Sequence, residues 1–307
     1  FGGFYMKPGY YAAIDVGTNA VRMVIKDVYG VKKNKVLSSI VQEVRIPLRL
    51  GVDVFSFGSI SFRKEEQLID TMICFRSLMN IYSVLSYRAY ATSAMREAKN
   101  GEDIIRKIKK TSGIDMQIVS GEKEASTITS ILKDLHLDKG NYVSLDVGGG
   151  SSEVSLIKDG KALKSDSFRI GTLRILANKD QEETWNYFKE TLSHYYDNYG
   201  SLNIIGTGGN INRYWKISKH KTKDRVNSLD VKELENIYSN LKELSLEERK
   251  EKYQLKPDRA DVILPAGQIF LTAAKILKSN YILVPMTGLG DGIVNDLVLG
   301  NQIDQVL

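Results

Sequence analysis

Cysteine is nearly absent from this 307-residue chain: Cys74 is the single one. One thiol cannot form an internal disulfide framework, and such usage fits a reducing compartment, the cytoplasm. Cys74 lies in an apolar helical pattern, which predicts a buried structural thiol. Histidine is also scarce, and the wide spacing of His136, His194 and His220 argues against a zinc site. No apolar run reaches the roughly 18 residues of a membrane span, so no membrane partner is expected. The opening stretch, Phe1 to Lys7, lacks the charged-then-apolar order of a signal peptide, and Met6 could be the natural start. Prolines number five, and 42% hydrophobic with 26% charged residues is an ordinary globular composition, long enough for two domains.

What is present begins with charge. Lys and Arg total 43 against 37 Asp and Glu, a net charge of +6. That favours an acidic partner (nucleic acid, nucleotide or polyphosphate) over the bland alternative of basic solubility. The most informative stretch is Asp146-Val147-Gly148-Gly149-Gly150-Ser151-Ser152-Glu153. An apolar run leads into it and alternating residues lead out, so it reads as a glycine turn between antiparallel strands. Glycine turns can close their bare N–H groups on an anion, and an acid at each end suits a hydrated Mg²⁺ beside phosphate. A plain hairpin turn is the alternative.

The same plan occurs twice. Asp15-Val16-Gly17 precedes a strand ending at Asp27, and Asp146-Val147-Gly148 precedes one ending at Asp159, an offset of 146 − 15 = 131 residues. In the first half, strands are expected over 10–15, 21–28 and 36–41, followed by an irregular 45–57 and a helix over 64–82. A strand over 87–91, a turn at 92–96, a helix over 102–110 and a strand over 114–119 come next. A helix then starts after Ser120, its N-cap. In the second half a third strand, 161–168, is followed by helices near 173–177 and 184–196 and a strand over 202–205. The turn Gly206-Thr207-Gly208-Gly209 follows that strand. Residues 215–227 read as a basic loop, with Lys216 to Arg225 able to meet a polyanion, although a solvated loop is the simpler reading. Ser245-Leu246-Glu247-Glu248 is a capping box. A helix over 260–278 should kink at Pro265. Gly288 to Gly292 reads as a fourth glycine turn before a last helix from Ile293, which could pack back on the first domain. The pattern implies an α/β fold of two duplicated domains with mixed sheets, facing across an active-site cleft. Their bounds are 1–125 with 293–307, and 126–292.

Ala12 to Asn19, Ala91 to Asn100, Ser120-Gly121-Glu122-Lys123-Glu124-Ala125, Asp146 to Glu153, Gly206 to Gly209 and Arg259-Ala260-Asp261-Val262-Ile263 stand together in one order. In that order the sequence resembles the exopolyphosphatase / guanosine pentaphosphatase family. This family lies within the actin and sugar kinase superfamily of ribonuclease-H-like domains. The resemblance covers nearly the whole chain and looks like the short, two-domain form. It implies a Mg²⁺-dependent hydrolase removing terminal phosphate from inorganic polyphosphate or guanosine pentaphosphate, with no nucleic-acid partner and room for a homodimer. By position it makes Asp15, Gly17, Thr18 and Asn19 the first phosphate loop and Gly148, Gly149, Gly150, Ser151 and Ser152 the second. Gly208 and Gly209 form a further phosphate turn. Glu124 matches the carboxylate that activates water, with Glu153 beside it in the catalytic role. Asp146 and Glu153 match the acids around the metal. Arg22 and Arg96 match basic residues directed at the phosphate chain.

The chemistry agrees. A phosphoanhydride has a good leaving group, so catalysis is positioning plus charge neutralisation, with a carboxylate as base. In the first turn of its helix Glu124 should be ionised. Each residue also has a bland reading: a helix-dipole acid for Glu124, an exposed strand acid for Glu153, a surface charge for Arg96, and turn-forming residues for Asp15 and Asp146. Three departures from the family pattern stand out: Asn210 where Thr is usual, Asp291 where Arg is usual, and Lys123 between Glu122 and Glu124. A kinase-like phosphotransferase and a non-catalytic polyphosphate sensor are the competing classes.

Overall fold

The apolar run ending at Asp15 forms strand β1 (Gly9–Val16), the middle strand of the first of two sheets. The computed structural model describes residues 7–32, 35–132, 135, 140–219, 222–223 and 226–303. The readings of Met6, His136, His220 and most of the basic stretch between 220 and 225 fall outside them. The chain divides into two compact units, Phe1–Asp134 with Leu289–Leu307, and Leu135–Gly288.

In the first unit β1 pairs antiparallel with β2 (Val21–Lys32), which pairs with β3 (Lys35–Ile46). Helices α1 (Leu50–Phe57) and α2 (Phe62–Ile81) lead to β4 (Ser86–Ala91), parallel to β1. Helices α3 (Ser93–Glu97) and α4 (Gly101–Ser112) precede the short β5 (Gln117–Ile118), parallel to β4, and α5 (Gly121–Leu132). Sheet order is β3-β2-β1-β4-β5. Local sequence explains such elements. In α4, Ile104, Ile105 and Ile108 are buried on one face, Glu102 and Asp103 meet the positive helix start, and Lys109 and Lys110 the negative end. Gly113 then closes the helix at a left-handed φ of 68°.

The second unit repeats the plan. Strands β6 (Asn141–Val147), β7 (Ser152–Lys158) and β8 (Lys161–Phe168) form an antiparallel meander. Then come α6 (Thr172–Leu176), α7 (Glu182–Tyr199), β9 (Asn203–Thr207) parallel to β6, and α8 (Gly209–Ile217). Strands β10 (Thr222–Lys223) and β11 (Asn227–Asp230) extend the sheet. Helices α9 (Val231–Lys242), α10 (Leu246–Tyr253), α11 (Pro257–Ala260) and α12 (Ile263–Ile276) and strand β12 (Tyr281–Leu283) complete the unit. The order β10-β11-β12-β9-β6-β7-β8 makes a second mixed sheet. Val143, Leu145 and Val154 on one sheet face pack with Phe188, Leu192, Ile269 and Phe270 into its core.

The final helix, α13 (Leu289–Ile303), belongs with the first unit. Its Ile293, Val294, Leu297 and Val298 pack with Ala13 of β1, Val24 of β2 and Ile128 of α5. Burying each such aliphatic side chain contributes about 1.5–3 kcal/mol. A methyl at Gly292 would collide with the Thr127 carbonyl oxygen, so only glycine allows this crossing of α13 over α5.

Several expectations are corrected. Residues 45–57 are ordered: β3 runs to Ile46 and α1 starts at Leu50. Gly290, Asp291 and Gly292 lie inside α13 and form no turn. Pro265 sits in the first turn of α12, where no intrahelical donor is lost, and the stretch is divided into α11 and α12 instead of kinked. The expected loop from 215 begins as the last turn of α8. Cys74 is exposed, because α2 buries Leu68, Met72, Phe75 and Met79 on another face. The division between units falls after α5, not at 125, since α5 packs with α13 on the first sheet. Ser120 does cap α5, its hydroxyl accepting from Lys123 N at 3.2 Å, and the capping box at Ser245 forms.

Candidate functional site

Parallel strands align their carboxyl ends, and ligands of open α/β sheets gather there. In the first unit β1, β4 and β5 run parallel, so Asp15 and the turn after it, the start of α3 and the start of α5 share one edge. In the second unit β6 and β9 do the same for Asp146 and Thr207.

The two glycine turns are built alike. Gly17 N donates to Ala20 O at 3.1 Å, and Gly148 N to Ser151 O at 3.0 Å. Each turn is locked through its carbonyls by the segment that follows the third strand. Asn19 O accepts from Arg49 N, and Thr18 O from Gly51 N, both at 3.0 Å. Gly148 O accepts from Thr172 N at 3.0 Å, Gly149 O from Leu173 N at 2.8 Å, and Gly150 O from the buried Arg174 Nε at 2.7 Å. With those carbonyls occupied, what either turn offers a ligand is N–H groups, as an anion needs. A Cβ on Gly171 would lie 2.5 Å from Gly150 N, so glycine is required at the contact. Ser152 is fully buried with its hydroxyl donated to Ile170 O at 2.7 Å, and Ser151 is buried too. Ser152 therefore secures β7, while the backbone carries the turn.

Around the first turn stand charged side chains. Asp15 is the register partner of Arg22, and Arg22 that of Arg45. These three share the sheet face of Ala13 and Val24, which α5 and α13 cover. Glu124 lies one helical turn before the buried Ile128 and is itself 8% exposed. It thus faces the same sheet from the first turn of α5. Arg96, at the end of α3, donates from Nη1 to Val119 O at 2.5 Å and stands 4.0 Å from Glu124 Oε2. Glu122 points outward. Hydrogen bonds from its backbone and from Ser120, with the Arg96 charge, hold its carboxyl below the usual range.

The second unit carries acids. Asp146 and Glu153 are register partners across β6 and β7, hence neighbours on one face. Thr207 donates to Asp146 Oδ1 at 2.5 Å and Ser167 to Glu153 at 2.8 Å. Glu153 is 3% exposed, which rules out an exposed strand acid. Among the described residues no group of three or more His, Cys, Asp or Glu side chains is placed to hold a metal. The pair fits Mg²⁺ nonetheless, because that ion takes one or two carboxylates, hard oxygen donors and several waters.

The third turn is partly covered. Gly208 adopts φ 96° beside Asp146 Oδ1, while the Arg259 guanidinium lies against Gly209 and donates to Asn210 Oδ1 at 3.3 Å. Asn210 thus holds an arginine of its own unit. Asp291 pairs with Lys26 at 2.5 Å, fastening α13 to β2. Sequence reading passed over Arg45, Arg49 and Arg174, and took Arg259 only as part of the family pattern, without a site role. An arginine between the apolar Leu173 and Ile175 was the one visible signal among them.

Comparison with known proteins completes the description. The model of the Ppx/GppA phosphatase family matches residues 28–301. Exopolyphosphatase 1 of Mycobacterium tuberculosis is 32% identical over 143 residues, covering 46% of this chain and 40% of that protein. The bifunctional 3-dehydroquinate synthase/phosphatase of Fusobacterium nucleatum is 28% identical over 89% of this chain and 44% of that protein. The chain therefore spans less than half the length of these curated relatives. The solved Ppx/GppA family member of Aquifex aeolicus superposes with a TM-score of 0.75 at 25% identity, over 96% of this chain and 99% of its own. An exopolyphosphatase of Cytophaga hutchinsonii shares the fold, with a TM-score of 0.78 at 21% identity over 95% and 98%. No described helix is long and apolar enough to cross a membrane.

Proposed function

The chain belongs to the Ppx/GppA phosphatase family, and we propose that it is a Mg²⁺-dependent exopolyphosphatase releasing orthophosphate from the end of inorganic polyphosphate. One observation carries this reading. At the carboxyl edge of the first sheet, a turn with its carbonyls occupied stands beside Asp15 and Arg22, under a buried Glu124 near Arg96.

In this reading N–H groups of the turn and Arg22 hold the terminal phosphate. Glu124 takes a proton from water as the water oxygen bonds to the terminal phosphorus. The bridging P–O bond breaks, and its electron pair stays on the shortened chain. Arg96 keeps Glu124 oriented and adds positive charge where the phosphoryl oxygens gain negative charge. Asp146 and Glu153 would hold Mg²⁺, which when bound supplies neutralisation of phosphate charge. Thr207 and Ser167 fix the orientation of those two carboxylates. The reading sets the reaction in the cytoplasm, without nucleic-acid or membrane partners, and admits a homodimer.

The test is phosphate release from long-chain polyphosphate, tripolyphosphate and guanosine pentaphosphate, with and without Mg²⁺. Release from polyphosphate that requires Mg²⁺ and falls about 10²–10⁴-fold in Glu124→Gln is expected. A Glu124→Gln protein as fast as its parent would remove the assigned base. Release from guanosine pentaphosphate alone would move the substrate to the nucleotide.

A further inference from the structure

Residue 49 is an arginine with a glycine's backbone. Its φ of 52° and ψ of 48° lie in the left-handed region, which costs a residue with a Cβ about 1 kcal/mol or more. Such a backbone persists only where its neighbours hold it. The first turn is one holder: Arg49 N donates to Asn19 O and Gly51 N to Thr18 O, both at 3.0 Å. Arg49 O, between those donors along the chain, is held by a second group. It accepts from Lys64 Nζ at 2.7 Å, besides Val52 N at 3.0 Å.

Lys64 stands in the first turn of α2. A cation there meets the positive end of the helix dipole, so helix stability does not favour a lysine at this position. Holding its long side chain still also costs up to about 2 kcal/mol of rotamer freedom. The structure meets both costs with Asp53 of α1, which pairs with Lys64 at 2.8 Å and accepts from Ser61 N at 2.9 Å. Paired in this way, Lys64 brings no net charge to the turn, and what it contributes is geometry. The second unit reaches the same end more directly, with Arg174 Nε donating to Gly150 O of the turn itself at 2.7 Å. In the first unit the charged donor acts one peptide further back.

We propose that Lys64 is a positioning residue of the first turn. By fixing the Arg49 carbonyl it aims the Arg49 and Gly51 N–H groups at the carbonyls of the turn, and so keeps the turn's other face for phosphate. This rests on the reading of that turn as the seat of the terminal phosphate.

The experiment combines native-state hydrogen exchange with calorimetric titration of tripolyphosphate, in a Glu124→Gln background so that the ligand is not consumed. The parent is compared with Lys64→Met, Asp53→Asn and Glu65→Gln. The last is the control: the buried Glu65, next on α2, pairs with Lys107 of α4 and does not touch Arg49. In Lys64→Met the amides of Arg49 and Gly51 should exchange about tenfold faster, and tripolyphosphate should bind about tenfold more weakly, the effect of one charged hydrogen bond. Glu65→Gln should change neither. Asp53→Asn leaves Lys64 its charge but loosens its aim, so it should weaken binding by less than Lys64→Met does. The proposal is overturned if Lys64→Met leaves either the two amides or the affinity unchanged, or if Glu65→Gln weakens binding as much. An Asp53→Asn protein that binds as tightly as the parent, or more tightly, would show Lys64 acting by charge and would equally overturn it. A parent that binds no tripolyphosphate sinks the reading of the turn and this proposal with it. Lys64-dependent binding in a protein whose wild type releases no phosphate would sink the hydrolase reading alone.

Discussion

The two units build one edge twice and charge it oppositely. Both place an aspartate at the end of the first strand, and both close the following turn with an N–H to carbonyl bond near 3 Å, 3.1 Å in one and 3.0 Å in the other. Across the hairpin from that aspartate the first unit has Arg22 and the second Glu153. The difference teaches that the backbone of the turn is common equipment, while one residue on the next strand sets the charge beside it, positive at Arg22 and negative at Glu153. In the proposed reading, Arg22 beside Asp15 seats an anion. Beside Asp146, a second carboxylate would seat the cation of that reading, and the hydroxyls of Thr207 and Ser167 bond to the two acids.

Reversing the first unit's charge should break the comparison most sharply. Arg22→Glu gives the first edge the acid pair of the second, and kcat/KM for polyphosphate should fall about 100-fold or more, as loss of a charged contact plus new repulsion requires. Unchanged kinetics would mean that the anion sits elsewhere. Next in size is Gly171→Ala, whose methyl must displace Gly150. Overpacking of this kind costs about 1–3 kcal/mol, read as a lower denaturant midpoint, and phosphate release should fall with it. A variant as stable as the parent would show that the second turn is less tightly locked than the first. Glu153→Gln should raise the Mg²⁺ concentration needed for half-maximal release by about tenfold, with orthophosphate affinity preserved. A Mg²⁺ dependence identical to the parent's would take the cation away from this edge.

The smallest effect concerns the support of the first turn. Asp53 on α1 accepts from Ser61 N at 2.9 Å and pairs with Lys64 at 2.8 Å, and Lys64 Nζ also donates to Arg49 O at 2.7 Å. Burial alone would raise the Asp53 carboxyl, but the bonds from Lys64 and Ser61 outweigh it and hold it below the usual range. A depressed carboxylate stabilises the fold above its unfolded pKa of about 3.9, and this contribution disappears as pH falls through the lower folded value. Asp53→Asn should therefore be less stable to thermal unfolding by about 1 kcal/mol at neutral pH, with the gap to the parent narrowing below about pH 4. A gap constant from pH 7 to pH 3 would contradict the assignment.

Much of the edge was legible beforehand because turns are local. The offset between Asp15 and Asp146 can be read from spacing, as can the Ser120 cap that places Glu124 in a first helical turn. Arg45 could not be found this way. It is the register partner of Arg22, and pairing across strands leaves no mark at a fixed sequence distance. Helix α1 was hidden by Pro47, Gly51 and Gly58, which read as loop residues, although Gly58 is the left-handed cap ending the helix at φ 75°. Cys74 was misplaced by about 100° of helical rotation from Phe75, enough to carry it from the core to solvent. Gly290 and Gly292 mimicked a turn, yet they are small so that α13 can lie close to Val24 and Thr127.

Helix α13 also gives the molecule an order of assembly. The ribosome completes residues 135–288 before it makes the helix that covers Ala13 and Val24, so the second unit can fold as a continuous stretch while the first still exposes an apolar face. The first-made strands are therefore the last to be finished. In pulse-labelled hydrogen exchange during refolding, amides of β6 and β9 should gain protection independently of α13, whereas those of β1 and β2 should gain it together with α13.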